Sequence, residues 1–224
     1  MKYVLKISGH VFDSDELIEE YAKTIKELIT RGVKLVIITG GGSIARKYVN
    51  IVRRLTSNEA LADYVGIMVS RLNAYILATG LGDYAYRKIP TSIDEIEQAY
   101  STGKVVILGG LQPGQSTVTV AILIAEYLGI DKVIDCANID AVYTDDPKIN
   151  PEARRLEKIS ISELLQILSR TNVKAGTYEL IDTWALRIAK RSKITIYVVS
   201  AQEPRKILNI IFHNRDYGTV IIPD

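Results

Sequence analysis

The sequence predicts an α/β protein built on a mainly parallel sheet with helices on both faces. Three observations predict it. Short β-branched runs alternate with longer stretches of helical period. Two of those runs end in glycine clusters that open helices. The chain of 224 residues, 47% of them apolar, can form one large core without disulfide staples.

Taken in order, Tyr3 to Ile7 is the first strand and Lys34 to Ile38 the second. Val105 to Leu108, Lys132 to Cys136, Thr195 to Val199 and Thr219 to Ile222 follow, each short and rich in Val or Ile. Between the first two, Glu16 to Ile29 sets Leu17, Tyr21, Ile25 and Leu28 on one helical stripe. Val118 to Leu128 is apolar nearly all round, as a helix packed deep against a sheet would be. Asp145 to Glu157, with Asp146-Pro147 and Asn150-Pro151, reads as a turn-rich surface loop. No repeat and no low-complexity linker interrupts the chain, so residues 1–224 form a single domain with a lobe boundary near residues 130 to 138.

Composition excludes several classes of function. The 28 basic residues against 26 acidic leave a net charge of +2, too balanced for an electrostatic footprint on nucleic acid or an anionic membrane. Any anion must therefore be held locally. A lone Cys136 and two histidines, His10 and His213, give neither an internal disulfide nor a Cys/His zinc cluster, so no metal ligands are predicted. A reducing cytoplasm fits this cysteine usage. No apolar run of 18 or more residues is apparent, and charge interrupts Met1 to Lys6 too soon for a secretory signal, so a soluble, unprocessed chain is expected.

Chemistry is concentrated in the glycine loops. In Thr39-Gly40-Gly41-Gly42-Ser43-Ile44-Ala45-Arg46 a buried strand runs into three glycines and a helix, which is an anion cradle with Arg46 one turn in. The same letters satisfy a loose dinucleotide fingerprint, yet the acidic residue wanted about 20 positions on falls at Glu59 or Asp63, in a stretch that reads as helix. A solvated structural turn is the plainer alternative. Gly109 and Gly114 bracket a second loop with P-loop spacing, but Gln115 stands where the phosphate-reaching lysine belongs. What remains is a helix N-terminus with hydroxyls at Ser116 and Thr117, suited to a phosphate monoester or simply to a β-to-α turn. Two such cradles on one sheet suggest a donor and an acceptor, hence phosphoryl transfer.

Lys6 lies within the first strand, either stabilising charge on a transferred group or pointing to water from a sheet edge. The run Asn138-Ile139-Asp140-Ala141-Val142-Tyr143-Thr144-Asp145-Asp146 offers an aromatic face, amides and carboxylates, the groups that hold a nucleoside, or else forms an Asx-rich loop. Asp182 follows Gly176 to Ile181 where a helix begins.

Ordered motifs across nearly the whole chain resemble the amino acid kinase family, and within it the archaeal-type uridylate (UMP) kinases. They are Lys6-Ile7-Ser8-Gly9, Gly40 to Ser43 with Ala45 to Tyr48, Asp63 to Ile67, Ser70-Arg71-Leu72-Asn73-Ala74, Gly109-Gly110 with Pro113 to Thr117, Asn138 to Asp140 with Tyr143 and Asp146-Pro147, and Ala175 to Asp182. The resemblance implies a three-layer α/β/α sandwich, an acceptor lobe at about 1–130 and an ATP lobe at about 131–224. It implies transfer of the γ-phosphoryl of ATP to UMP, giving UDP for pyrimidine nucleotide synthesis. It also implies Mg²⁺ held by ATP phosphates and water, and a homo-hexamer. Nucleic acid and membrane are not among the expected partners.

Carried over by motif, Lys6, Arg46 and Asp182 are the catalytic candidates. Gly9, His10, Gly42, Arg46, Ala137, Asn138, Tyr143 and Asp146 are assigned to ATP. Gly41, Asp63, Leu111, Gln112, Pro113, Gly114, Gln115, Ser116 and Thr117 are assigned to UMP. Three positions depart from the family pattern: Ala141 replaces a glycine, Ala137 replaces a threonine, and His10 stands where relatives carry lysine or other residues. If position 141 requires φ > 0, the alanine strains the loop by roughly 1 kcal/mol. Rival readings are isopentenyl phosphate kinase or a carboxylate kinase of the same family, a nucleotide-binding storage or sensor protein, and a dinucleotide enzyme.

Overall fold

The computed structural model describes residues 1–145, 147, 150–170, 181–215 and 217–224. Strand β1 (Lys2–Ile7) passes through a 3-10 turn (Gly9–Asp13) into α1 (Asp15–Thr30). Strand β2 (Lys34–Thr39) opens α2 (Gly42–Thr56), followed by α3 (Glu59–Leu81) and α4 (Ile93–Ser101). Strand β3 (Val106–Leu108) opens α5 (Thr117–Tyr127), and β4 (Lys132–Ala137) follows. Beyond it come β5 (Val142–Tyr143), β6 (Arg155–Leu156), β7 (Lys158–Ser160), α6 (Ile161–Arg170), α7 (Thr183–Arg191), β8 (Thr195–Ser200), α8 (Lys206–His213) and β9 (Thr219–Ile222).

Seven strands form one sheet in the order β3-β2-β1-β4-β8-β9-β7. Every neighbouring pair is parallel except β8 with β9. The six strands legible in the sequence are all present, with ends moved by a residue or so. Strand β7 was not foreseen: only Ile159 of its three residues is buried, too short a run to show a period. Arg155 and Leu156, expected in a loop, pair antiparallel with Val142 and Tyr143 in a small separate ladder.

Alternate strand residues feed two cores, one on each face. Val4, Val36, Ile38 and Val133 pack with α5 and α7. Leu5, Ile7, Ile37, Ile134 and Cys136 pack with α1, α3 and α8. Helix α1 forms because Ser14 caps it, accepting from the Leu17 N–H at 3.3 Å, with Asp15 and Glu16 in its first turn. Its Tyr21, Ile25 and Leu28 are fully buried, each side chain stabilising by about 1.5–3 kcal/mol.

Helix α3 has two different faces. Ala62, Ser70, Asn73, Ala74, Leu77 and Leu81 are buried inward. Leu61, Tyr64, Met68, Leu72, Tyr75 and Ile76 are 41–58% exposed along the outside. By length and mean hydropathy this helix could cross a membrane, contrary to the expectation that no run was long enough. It is instead a layer of the α/β fold, with the polar side chains of Ser70, Arg71 and Asn73 bonded to the loops at the sheet's end.

Candidate active site

The chain leaves β1 towards β2 and β3 on one side and returns as β4 on the other, so β1 and β4 flank the topological switch point. In open parallel sheets ligands bind at such a point, beyond the carboxyl ends of the strands. Lys6 and Asp135 stand there as register partners on β1 and β4. Lys6 Nζ lies 2.9 Å from Asp135 Oδ1, with the carboxylate side chain 1% exposed and the lysine 12%. Neither carboxylate oxygen accepts a well-formed hydrogen bond among the described residues. The edge-strand alternative for Lys6 is thereby overturned, because β1 is paired on both sides. A charged pair in a central strand is costly unless the charges compensate each other, which they do here.

The first glycine loop closes on the turn after β1. A Cβ on Gly9 would lie 1.9 Å from the Gly42 nitrogen and 2.6 Å from the carbonyl carbon of Gly40, so two backbones meet with no room for a side chain. Gly42 adopts φ +69°, the left-handed region that glycine tolerates. Asn73 of α3 donates to the Gly40 carbonyl at 2.8 Å, and Gly41 lines a cleft of about 210 Å³ with Asp63, Gly110, Gln112, Gln115 and Thr117.

Beside this loop, Asp13 accepts from Ser43 Oγ at 2.6 Å and meets His10 Nδ1 at 2.9 Å. Partial burial pushes the Asp13 carboxyl up, but the bonds from Ser43 and His10 outweigh it and hold the group below the usual aspartate range. Arg46 is exposed near the start of α2 and pairs with no carboxylate among the described residues.

The second loop is laced to α3. Ser70 Oγ accepts from the Gly110 N–H at 2.8 Å, and Arg71 reaches the carbonyls of Gly110 at 3.0 Å and Leu111 at 3.1 Å. Asp63 Oδ2 accepts from the Gly114 N–H at 2.9 Å, while Gly114 turns the chain at φ +80°. Pro113 is exposed on this turn. Ser116 caps α5 by accepting from the Thr119 N–H at 3.0 Å. Gln115 Oε1 is buried with no donor to it among the described residues.

Asp182 caps α7, accepting from the Ala185 N–H at 2.8 Å. The same carboxylate accepts from Ser116 Oγ at 2.5 Å and Thr119 Oγ1 at 2.7 Å, so it ties the N-termini of α5 and α7 together. Across the sheet, Ser8 donates to Asn138 Oδ1 at 2.7 Å, joining the turn after β1 to the segment after β4. Tyr143 OH is 3.2 Å from both Asp140 carboxylate oxygens, and burial first, then Asp140, raises its phenol above the ordinary value. Ala137 is buried at the end of β4. Ala141 is fully buried and is not among the positive-φ residues, so alanine sits there without left-handed strain. Asp146 and residues 171–180 lie outside the described residues.

The structure thus gathers Lys6, Gly9, His10, the glycine triplet, Asp63 and the second loop at one end of the sheet. It adds residues that reading the sequence had not assigned. Asp135 could have been found as the single carboxylate within the apolar run Val133 to Ala137. Arg71 and Asn73 had appeared only inside a motif, without a role. Among the described residues no group of three or more His, Cys, Asp or Glu side chains could hold a metal.

A family model described as "Amino acid kinase family" matches residues 1–200. A uridylate kinase from Sulfurisphaera tokodaii is 47% identical, the match covering 100% of both chains. A uridylate kinase from Pyrobaculum neutrophilum is 42% identical, covering 99% of each. Among solved structures, the uridylate kinase from Archaeoglobus fulgidus superimposes with a TM-score of 0.89 at 36% identity, over 99% of this chain and 100% of that one.

Proposed function

This chain belongs to the amino acid kinase family, and from that premise we propose that it is a UMP kinase, moving the γ-phosphoryl of ATP to UMP to give UDP and ADP for pyrimidine nucleotide synthesis. One observation carries the reading. The glycine loops after the adjacent parallel strands β2 and β3 stand side by side, bridged by α3, with Lys6 at the neighbouring switch point. Two anion cradles at the same end of the sheet as one cation suit a site that brings two phosphates into line, and phosphoryl transfer depends mainly on such alignment and charge stabilisation.

In this reading UMP lies against Gly41, Asp63 and residues 111–117, within a lobe of about residues 1–130. ATP lies against Gly9, His10, Gly42, Ala137, Asn138, Tyr143 and Asp146, mostly from residues 131–224. The division of the sheet into β1 to β3 and the later strands supports this split. Lys6, held by Asp135, and Arg46 stabilise the charge that spreads over the transferred group. Asp182 fixes the N-terminus of α5 beneath the acceptor loop. Mg²⁺ suits ATP phosphates and water better than this chain, which offers no carboxylate cage among its described residues. The free, buried Cys136, the one cysteine of the chain, supports a reducing cytoplasmic setting. The exposed apolar stripe of α3 supports a homo-oligomer, which the family resemblance puts at six subunits.

A coupled assay of ADP formation from Mg-ATP, with UMP, CMP, dUMP, AMP and isopentenyl phosphate side by side, tests the reading. Selective turnover of UMP is expected. Turnover of another acceptor, or of none by a protein that binds ATP, would overturn it.

A further inference from the structure

Helix α3 bonds to carbonyls of both glycine loops, and the pattern has a directional consequence. Asn73 holds the Gly40 carbonyl, while Arg71 holds two successive carbonyls, Gly110 and Leu111, with Nε and a terminal nitrogen of its planar fork. In a planar trans peptide the C=O and N–H point in opposite directions. Pinning these three carbonyls to α3 therefore turns the N–H groups of Gly41, Leu111 and Gln112 away from that helix. None of the three donates a hydrogen bond among the described residues. Gly41 and Gln112 line the 210 Å³ cleft that Asp63 also lines. Successive N–H groups turned to one side make an anion-binding concavity, and a cation on the carbonyl side of a peptide strengthens its N–H as a donor.

Arg71 itself is half-buried and makes no carboxylate contact within 4 Å among the described residues, and the hydrogen bonds of its guanidinium go to the loop backbone. A lysine could reach one carbonyl but not present a fork to two.

We propose that Arg71 and Asn73 are positioning residues for the phosphate acceptor, setting from behind the backbone N–H groups that receive its anionic end. The inference rests on the acceptor assignment above. It does not make either side chain a contact to substrate.

The test compares Arg71→Lys, Arg71→Met and the wild-type protein in steady-state kinetics, using whichever monophosphate the wild type phosphorylates best. Titration calorimetry with inorganic phosphate is run in parallel. The acceptor KM is expected to rise about tenfold or more in both variants, with the ATP KM changed less than about twofold. Phosphate affinity should fall in step, and methylguanidinium added to the Arg71→Met protein should lower the acceptor KM again. An unchanged acceptor KM and phosphate affinity would overturn the proposal. So would equal losses for both substrates tracking a lowered Tm, the signature of a merely structural arginine. A wild type that prefers a monophosphate other than UMP overturns the substrate assignment instead, and the variants still decide the role of Arg71.

Discussion

The ammonium of Lys6 and the carboxylate of Asp135 meet at 2.9 Å across β1 and β4, at positions that are partners in strand register. The contact gives Lys6 a structural role beside the charge-stabilising one proposed for it. Its two functions separate only when both partners are changed.

Lys6→Ala is expected to lower turnover about 10²–10³-fold, the usual effect of removing one charge-stabilising donor. It also leaves the buried Asp135 carboxylate uncompensated, at about 3 kcal/mol of stability. The double change Lys6→Ala with Asp135→Asn should regain most of the stability and none of the turnover. Denaturant melts and initial rates on the three proteins check this, and recovered turnover in the double variant would remove the catalytic role.

Asp63→Asn keeps an oxygen able to accept from the Gly114 N–H but loses the charge that the proposed contact to the ribose hydroxyls uses. The UMP KM should rise about tenfold while the ATP KM stays within about twofold. Asp63→Ala should do more, because the loop tie goes as well. Parallel loss for both substrates would mean that Asp63 only braces the fold.

Gly9→Ala forces a methyl to within 1.9 Å of the Gly42 nitrogen, where only backbone could move. A loss of about 3 kcal/mol and of activity is expected. Gly103→Ala is the control: its φ of +76° strains an alanine by about 1 kcal/mol, but nothing lies within 4 Å. Calorimetric melting of the two variants ranks them.

Asp182→Ala removes the cap of α7 and the acceptor for two hydroxyls of α5, a loss of about 1–2 kcal/mol. Asp182→Asn, which retains an acceptor oxygen, should lose less. A Tm equal to wild type in both would deny the clamp between the helices.

Stability should carry an acid limb from Glu126. Hydrogen bonds from Arg191, at 2.9 and 2.7 Å, and from Ser192 hold its carboxyl below the ordinary glutamate range. The folded-state value is lowered, so the stabilisation is present above the unfolded value of about 4.3 and is lost as pH falls through the folded one. Glu126→Gln should flatten ΔG against pH below about 4.3, as urea melts between pH 3 and 6 would show.

The parts of this fold legible in the sequence are those written in local pattern. Val36 to Ile38 and Val105 to Leu108 are β-branched runs ended by glycines, and both strands and their helices stand where the pattern puts them. Strand direction has no local period, so nothing in Thr219 to Ile222 announced that β9 runs antiparallel to β8. The site was half legible for the same reason. Glycines mark a cradle wherever they fall, but the partners that make it rigid come from distant chain positions. Asn73 binds Gly40 across 33 residues, Arg71 binds Leu111 across 40, and Asp182 binds Ser116 across 66. Those distances belong to the tertiary fold.

Strand β9 is inserted between β8 and β7, and among the described residues β7 has no other neighbour in the sheet. During synthesis the ribosome delivers β7 some sixty residues before its partner β9, since Lys158 pairs with Val220. The growing chain therefore carries β7 as an unpaired ribbon, while β1 to β4 can already assemble behind it. Chaperone dependence and aggregation during translation should concentrate in that interval, which single substitutions in β9 would lengthen without touching the chemistry of the finished enzyme.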